Sequence, residues 1–197
     1  MNVLSKTLML VLVGLGAAYG GSQLILSQRS IVSSSAHTIK LDDDALIKQG
    51  AYVSRTGDCV ACHTVPGGQK YAGGLAMQTP LGAIYSTNIT PDKETGIGNY
   101  TLDEFKTAVQ HGVRKDGAAL YPAMPYPSYS VMSEEDMNAL YAYFMNGVPA
   151  VKQQNAGPTL PKLFQMRWTI AFWQWMFAPT DQTFVADESL DDLKNRG

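Results

Sequence analysis

Two cysteines and three histidines are scant material for a site, and their scarcity excludes much. There is no second cysteine pair, and beyond the histidine beside the first pair only His37 and His111 remain as nitrogen donors. A zinc site, which needs about four such ligands, lacks its set. Net charge is −2 and no basic stripe is present, which argues against nucleic acid as a partner. No β-branched run occupies residues 49–58, so the buried strand that leads into a thioredoxin-like dithiol is missing. Charge is absent altogether between Lys6 and Arg29. The chain is nevertheless 45% hydrophobic and 16% charged over 197 residues, enough for one domain with a buried core and extra segments.

What is present is concentrated in Cys59-Val60-Ala61-Cys62-His63. A Cys-x-x-Cys-His run reads as the attachment site of one c-type haem. Two thiols three positions apart on a helical turn can each add to one vinyl group, and the histidine that follows presents its imidazole to the iron. Cys59 and Cys62 are then consumed and none is left for a disulfide. Maturation of such a haem implies the outer, periplasmic side of a bacterial inner membrane or an equivalent compartment. The iron still needs a sixth ligand or an open position. Residues 117–129 carry Pro122, Pro125 and Pro127, which stiffen the stretch and forbid helix there, and Met124 lies among them. A thioether paired with imidazole raises the potential. Met77, Met132 and His111 are the alternatives to Met124.

The uncharged residues 7–28 read as a signal peptide or a membrane anchor within residues 1–29, with small residues near Gly20 favouring cleavage. Residues 30–40 are a Ser-rich linker. Asp42, Asp43 and Asp44 announce a helix that ends near Thr56-Gly57, with Leu46, Gly50 and Val53 on one face. Residues 65–98 are loop-like and suited to wrapping a porphyrin; Asn88-Ile89-Thr90 matches a glycosylation acceptor, taken as chance. Thr101 and Glu104 form a capping box before Phe105, Ala108, Val109 and Gly112. Ser133 opens a third helix carrying Met137, Leu140, Tyr141 and Phe144, which ends at Asn146-Gly147. Residues 41–148 are therefore expected to be a small all-α haem domain.

The remainder, 149–197, begins with a linker-like stretch to Pro158. It continues into an aromatic segment, residues 163–177, that holds all three tryptophans. That segment is too short to span a bilayer at about 20 residues. It is expected either to fold back on the haem domain or a neighbour, or to touch a membrane surface through Trp and Arg167. Leu190-Asp191-Asp192 echoes Leu41-Asp42-Asp43, which reads as the onset of a second haem domain.

Five motifs carry a resemblance: Gly50-Ala51-Tyr52, Asp58 to Thr64, Gly73-Gly74, Ile84 to Asp92, and Leu120-Tyr121-Pro122-Ala123-Met124-Pro125-Tyr126. Through them the run from Gly50 to Pro179 resembles the first haem domain of the cytochrome c subunits of membrane-bound periplasmic alcohol, aldehyde and gluconate dehydrogenases. The resemblance implies a class I cytochrome c-like three-helix domain with one covalent haem c. Its methionine ligand falls on Met124, opposite His63. It also implies an electron-transfer subunit, not an enzyme on its own, that takes electrons from a dehydrogenase catalytic subunit. They would leave for ubiquinone, another cytochrome or a terminal oxidase. A gas sensor or haem enzyme with a dissociable Met124, and a periplasmic dithiol oxidoreductase, are the rival classes.

Overall fold

The computed structural model describes residues 14, 16–17, 19–24, 40–178 and 187–191. The signal or anchor read in residues 1–29, the linker 30–40 and the repeat onset at Leu190 fall largely outside the described residues. Helices α1 (Asp44–Thr56), α2 (Cys59–Cys62), α3 (Leu102–His111), α4 (Tyr126–Tyr129), α5 (Glu134–Ala142), α6 (Lys162–Gln165) and α7 (Arg167–Phe177) follow in order. Between α2 and α3 runs a two-stranded hairpin, β1 (Ala76–Thr79) and β2 (Gly82–Tyr85).

The three long helices of the domain begin where side chains satisfy their free N–H groups. Asp43 Oδ1 accepts the Ala45 N–H at 2.8 Å to start α1. The Thr101 hydroxyl accepts the Glu104 N–H while Glu104 accepts the Thr101 N–H at 2.7 Å, which starts α3. Ser133 accepts the Asp136 N–H at 3.1 Å to start α5, which runs on through a π-type turn, Tyr143–Gly147. Helix α1 packs on α5 at Gly50. A Cβ there would stand 2.0 Å from the Ala139 carbonyl oxygen and 2.6 Å from Tyr143 Cβ, so only glycine lets the two helices close. Around that crossing Val53, Tyr71, Ile97, Phe105, Met137, Leu140, Phe144 and Val148 form the main core. Tyr71 meets Phe144 edge-on, centroids 5.2 Å apart.

Two expectations need correcting. The fold is mostly helical but not purely so: the stretch 65–98, read as loop, contains β1 and β2, paired antiparallel from Ala76 with Tyr85 to Thr79 with Gly82. Four-residue strands carry too little alternation to stand out, and a side-chain bond closes this hairpin, the Thr79 hydroxyl donating to the Gly82 carbonyl at 2.7 Å. Nor do the prolines of 117–129 exclude helix. Pro125 is the N-cap of α4 and Pro127 sits in its first turn, where the missing N–H is not needed.

The linker-like stretch after Pro149 is tied down by a buried polar knot. Asn88 Nδ2 donates to the Val151 carbonyl at 2.7 Å and to Thr95 Oγ1 at 3.0 Å. Its Oδ1 accepts from the Thr90 N–H and hydroxyl at 2.9 and 2.7 Å. Asn88 is 2% exposed, which closes it to glycosylation in the folded chain. Further on, Thr159 donates its N–H to the Ala83 carbonyl and accepts the Ala83 N–H, extending the β2 edge.

Helix α7 folds back on the domain along a narrow edge. Ala171 is fully buried against Val113 and Ala119, and Gln174 Nε2 donates to the Gly112 and Leu120 carbonyls at 3.0 and 3.1 Å. Phe172, Trp173, Trp175, Met176 and Phe177 are exposed. Among the described residues no helix is long and apolar enough to cross a membrane.

Candidate haem site

The hydrophobic core opens into a cavity of about 840 Å³, within the size range of cofactor pockets. Cys59, Cys62 and His63 line it, as does Met124 from the turn between α3 and α4. The donor set is two thiols, one imidazole and thioethers, gathered on a mostly apolar wall that includes Val53, Phe105, Val109 and Phe144. That chemistry and volume fit a haem tethered through both sulfurs.

Each donor is held by local structure. Asp58 adopts a left-handed conformation (φ 55°) that ends the α1 turn and starts α2, so Cys59 and Cys62 sit one helical turn apart. Burial pushes the Cys59 thiol up to about 11. A reactive dithiol instead needs its thiolate favoured at neutral pH, so the environment counts against a dithiol oxidoreductase.

His63 Nδ1 stands 2.7 Å from the Thr87 carbonyl oxygen. A carbonyl only accepts, so the proton is on Nδ1 and the Nε2 lone pair is free for a metal. Burial holds the imidazole below its ordinary value, although the Thr87 bond works the other way, and a neutral ring is the form that ligates. Gly73 makes this contact reachable. Its N–H donates to the His63 carbonyl at 2.8 Å, and a Cβ at Gly73 (φ +76°) would stand 2.4 Å from the Thr87 carbonyl carbon. Gly74 donates to the Ser86 carbonyl at 2.9 Å, so the Gly73-Gly74 pair is the seam between the haem motif and residues 86–88.

Met124 is half-buried in a turn where its N–H donates to the Tyr121 carbonyl and its carbonyl accepts from Tyr126. Met77 and Met132 line the same cavity, whereas His111 is not among its lining residues. Met132 packs on the main core and Met77 is paired with Ile84 in the hairpin. Tyr129 also lines the cavity, its hydroxyl donating to the Gly57 carbonyl at 2.7 Å, and burial pushes its phenol up to about 12.

Sequence reasoning missed Thr87, Arg114 and Lys115. Thr87 acts through its backbone, which no side-chain signal announces, though it lies inside the Ile84 to Asp92 motif. Arg114 and Lys115 line the cavity from the stretch after α3. Arg167, in the segment expected from the sequence either to fold back on the haem domain or a neighbour or to touch a membrane surface, lines the cavity. Its Nη1 donates to the Ala119 carbonyl at 3.1 Å, and its guanidinium lies 4.1 Å over the Tyr121 ring.

A family model described as cytochrome c matches residues 47–147, just over half the chain. This chain belongs to the cytochrome c family. That match runs from the first turn of α1 through α5 and includes Cys59, Cys62, His63 and Met124. The cytochrome c chain is also similar to the gluconate 2-dehydrogenase cytochrome c subunit of Pantoea cypripedii. The two are 58% identical over 155 residues, covering 79% of this chain and 35% of that subunit. It is 56% identical to the cytochrome c subunit of the quinone alcohol dehydrogenase of Gluconacetobacter polyoxogenes, covering 79% of this chain and 33% of the relative. The fructose dehydrogenase cytochrome subunit of Gluconobacter japonicus is 45% identical over 152 residues, covering 77% and 31%. The chain thus spans about a third of the length of these relatives. The resemblance read from the motifs is met.

Proposed function

We propose that the chain is an electron-transfer cytochrome. It carries one haem c attached through Cys59 and Cys62 and ligated by His63 and Met124. Electrons would come from the catalytic subunit of a membrane-bound dehydrogenase, on the periplasmic side of the bacterial inner membrane. They would leave for ubiquinone, another cytochrome or a terminal oxidase. The observation that carries the reading is the presence of Cys59, Cys62, His63 and Met124 around one cavity of about 840 Å³. The names of the three relatives described above, each a cytochrome subunit of a dehydrogenase, support the donor side.

A haem bound there would supply one-electron exchange without making or breaking substrate bonds. The chain's own residues do the rest. Two sulfurs tether, and His63 keeps its proton on Nδ1 through Thr87. Tyr121, Tyr129 and Phe144 help wall off water. Met77 and Met132 line the same cavity; Met124 is favoured because Pro122 and Pro125 stiffen its turn and the motif Leu120 to Tyr126 carries it. The exposed Phe172, Trp173, Trp175, Met176 and Phe177 suit contact with a membrane surface or the dehydrogenase, consistent with a membrane-associated complex.

The test is expression together with the haem-attachment machinery, followed by mass measurement and a reduced-minus-oxidised spectrum. A mass increase of one haem and a methionine-to-iron charge-transfer band support the reading. A colourless chain with two titratable thiols overturns it.

A further inference from the structure

Arg167 lies outside the stretch matched by the cytochrome c family, on the first turn of α7, yet it reaches the wall of the cavity that the family residues build. Its charge is half-buried and needs a partner, because a cation taken out of water without a counter-charge is costly. The other two cations on that wall have one. Arg114 pairs with Asp116 at 2.9 Å and Lys115 with Glu104 at 3.0 Å. Among the described residues no carboxylate lies within ion-pair distance of Arg167; Asp116, already paired with Arg114, attracts it only from beyond that distance.

The guanidinium is nonetheless held in place. It stacks over the Tyr121 ring, and one of its five N–H donors goes to the Ala119 carbonyl. Tyr121 in turn donates its hydroxyl to the Phe164 carbonyl at 3.2 Å, and Gln174 fastens the far end of α7 to the Gly112 and Leu120 carbonyls. An oriented planar fork with free donors, at the edge of an otherwise apolar cavity, is a receptor for a carboxylate. The haem proposed for this cavity carries two propionate carboxylates.

Resting on the function proposed above, we propose that Arg167 pairs with a haem propionate. The C-terminal extension is then a clamp on the cofactor, and the Tyr121 ring and the Ala119 carbonyl aim the guanidinium.

The experiment uses the full chain with haem attached and 13C label in the propionate carboxylates, comparing wild type with Arg167→Gln, Arg167→Lys and Trp175→Gln. The readouts are the redox-difference infrared bands of the labelled carboxylates and the midpoint potential. Arg167→Gln shifts the labelled bands and lowers the potential, since a positive charge that disfavours the oxidised state is gone. Arg167→Lys shifts the bands, because the bidentate fork is lost, but retains most of the potential. Trp175→Gln, exposed on the same helix, changes neither. Labelled bands that stay where they are in Arg167→Gln overturn the clamp. Should that variant yield no holoprotein, unmoved bands in Arg167→Lys overturn it instead. A wild-type chain without attached haem sinks the functional reading and the clamp with it, whereas attached haem with inert Arg167 variants sinks the clamp alone.

Discussion

His63 Nδ1 and the Thr87 carbonyl oxygen, 24 residues apart in the chain, are joined at 2.7 Å. This one bond sets which imidazole nitrogen keeps its proton, and it exists only because residues 86–88 press against Gly73 with no room for a Cβ. The haem motif and the segment that orients its histidine are therefore separate in sequence and joined through a glycine.

Gly73→Ala is expected to destabilise the holoprotein by about 3 kcal/mol, combining a left-handed backbone with a steric clash. Denaturant unfolding measures this, and the imidazole NMR signals of His63 should shift with it. A variant as stable as wild type would mean that the seam relaxes freely.

Met124→Ala should keep the haem attached, lower the midpoint potential and allow carbon monoxide to bind the reduced iron. Spectroelectrochemical titration reads the first effect and the carbon monoxide spectrum the second. An unchanged potential moves the sixth ligand to Met77 or Met132.

Asn88→Ala removes the acceptor of the Thr90 N–H and the shorter of two bonds to the Val151 carbonyl in a buried setting. Losing them costs about 3 kcal/mol in all. The strap after Pro149 should then be cut faster in limited proteolysis while haem attachment persists. Equal cleavage rates would show that the strap is held by other contacts.

Glu104 gives the fold an acid-side dependence. Partial burial works upward on its carboxyl, but the Thr101 N–H and the Lys115 ammonium outweigh it and hold the group below the usual carboxylate range. A carboxylate depressed in the folded state contributes stability above its unfolded value of about 4.3, and that contribution is lost as pH falls through the folded value. Glu104→Gln should cost about 1 kcal/mol at pH 7, after allowing for solvent screening. The difference from wild type should vanish at lower pH. Parallel stability curves down to acid pH would contradict this.

Legibility followed the range of each interaction. The starts of α1, α3 and α5 were readable because Asp43, Thr101 and Ser133 bond to N–H groups two or three residues ahead. Gly50 was readable as part of one face of α1, though not what that face meets. The hairpin β1–β2 is hidden in the sequence because its strands are four residues long, and the turn α4 because proline bars helix only in the interior and not at the first turn. The place of Arg167 stayed open between fold-back and a membrane surface because a lone cation in an aromatic segment looks the same beside either.

By itself, the order of residues determined the cofactor chemistry and the helix starts, since two thiols, an imidazole and the N-terminal caps act over one or two turns of chain. Tertiary structure alone decided which carbonyl orients His63, how Asn88 ties down the strap, and that Arg167 reaches the cavity. Those contacts join residues 24 to more than 60 positions apart, and only the packed core brings them within bonding distance.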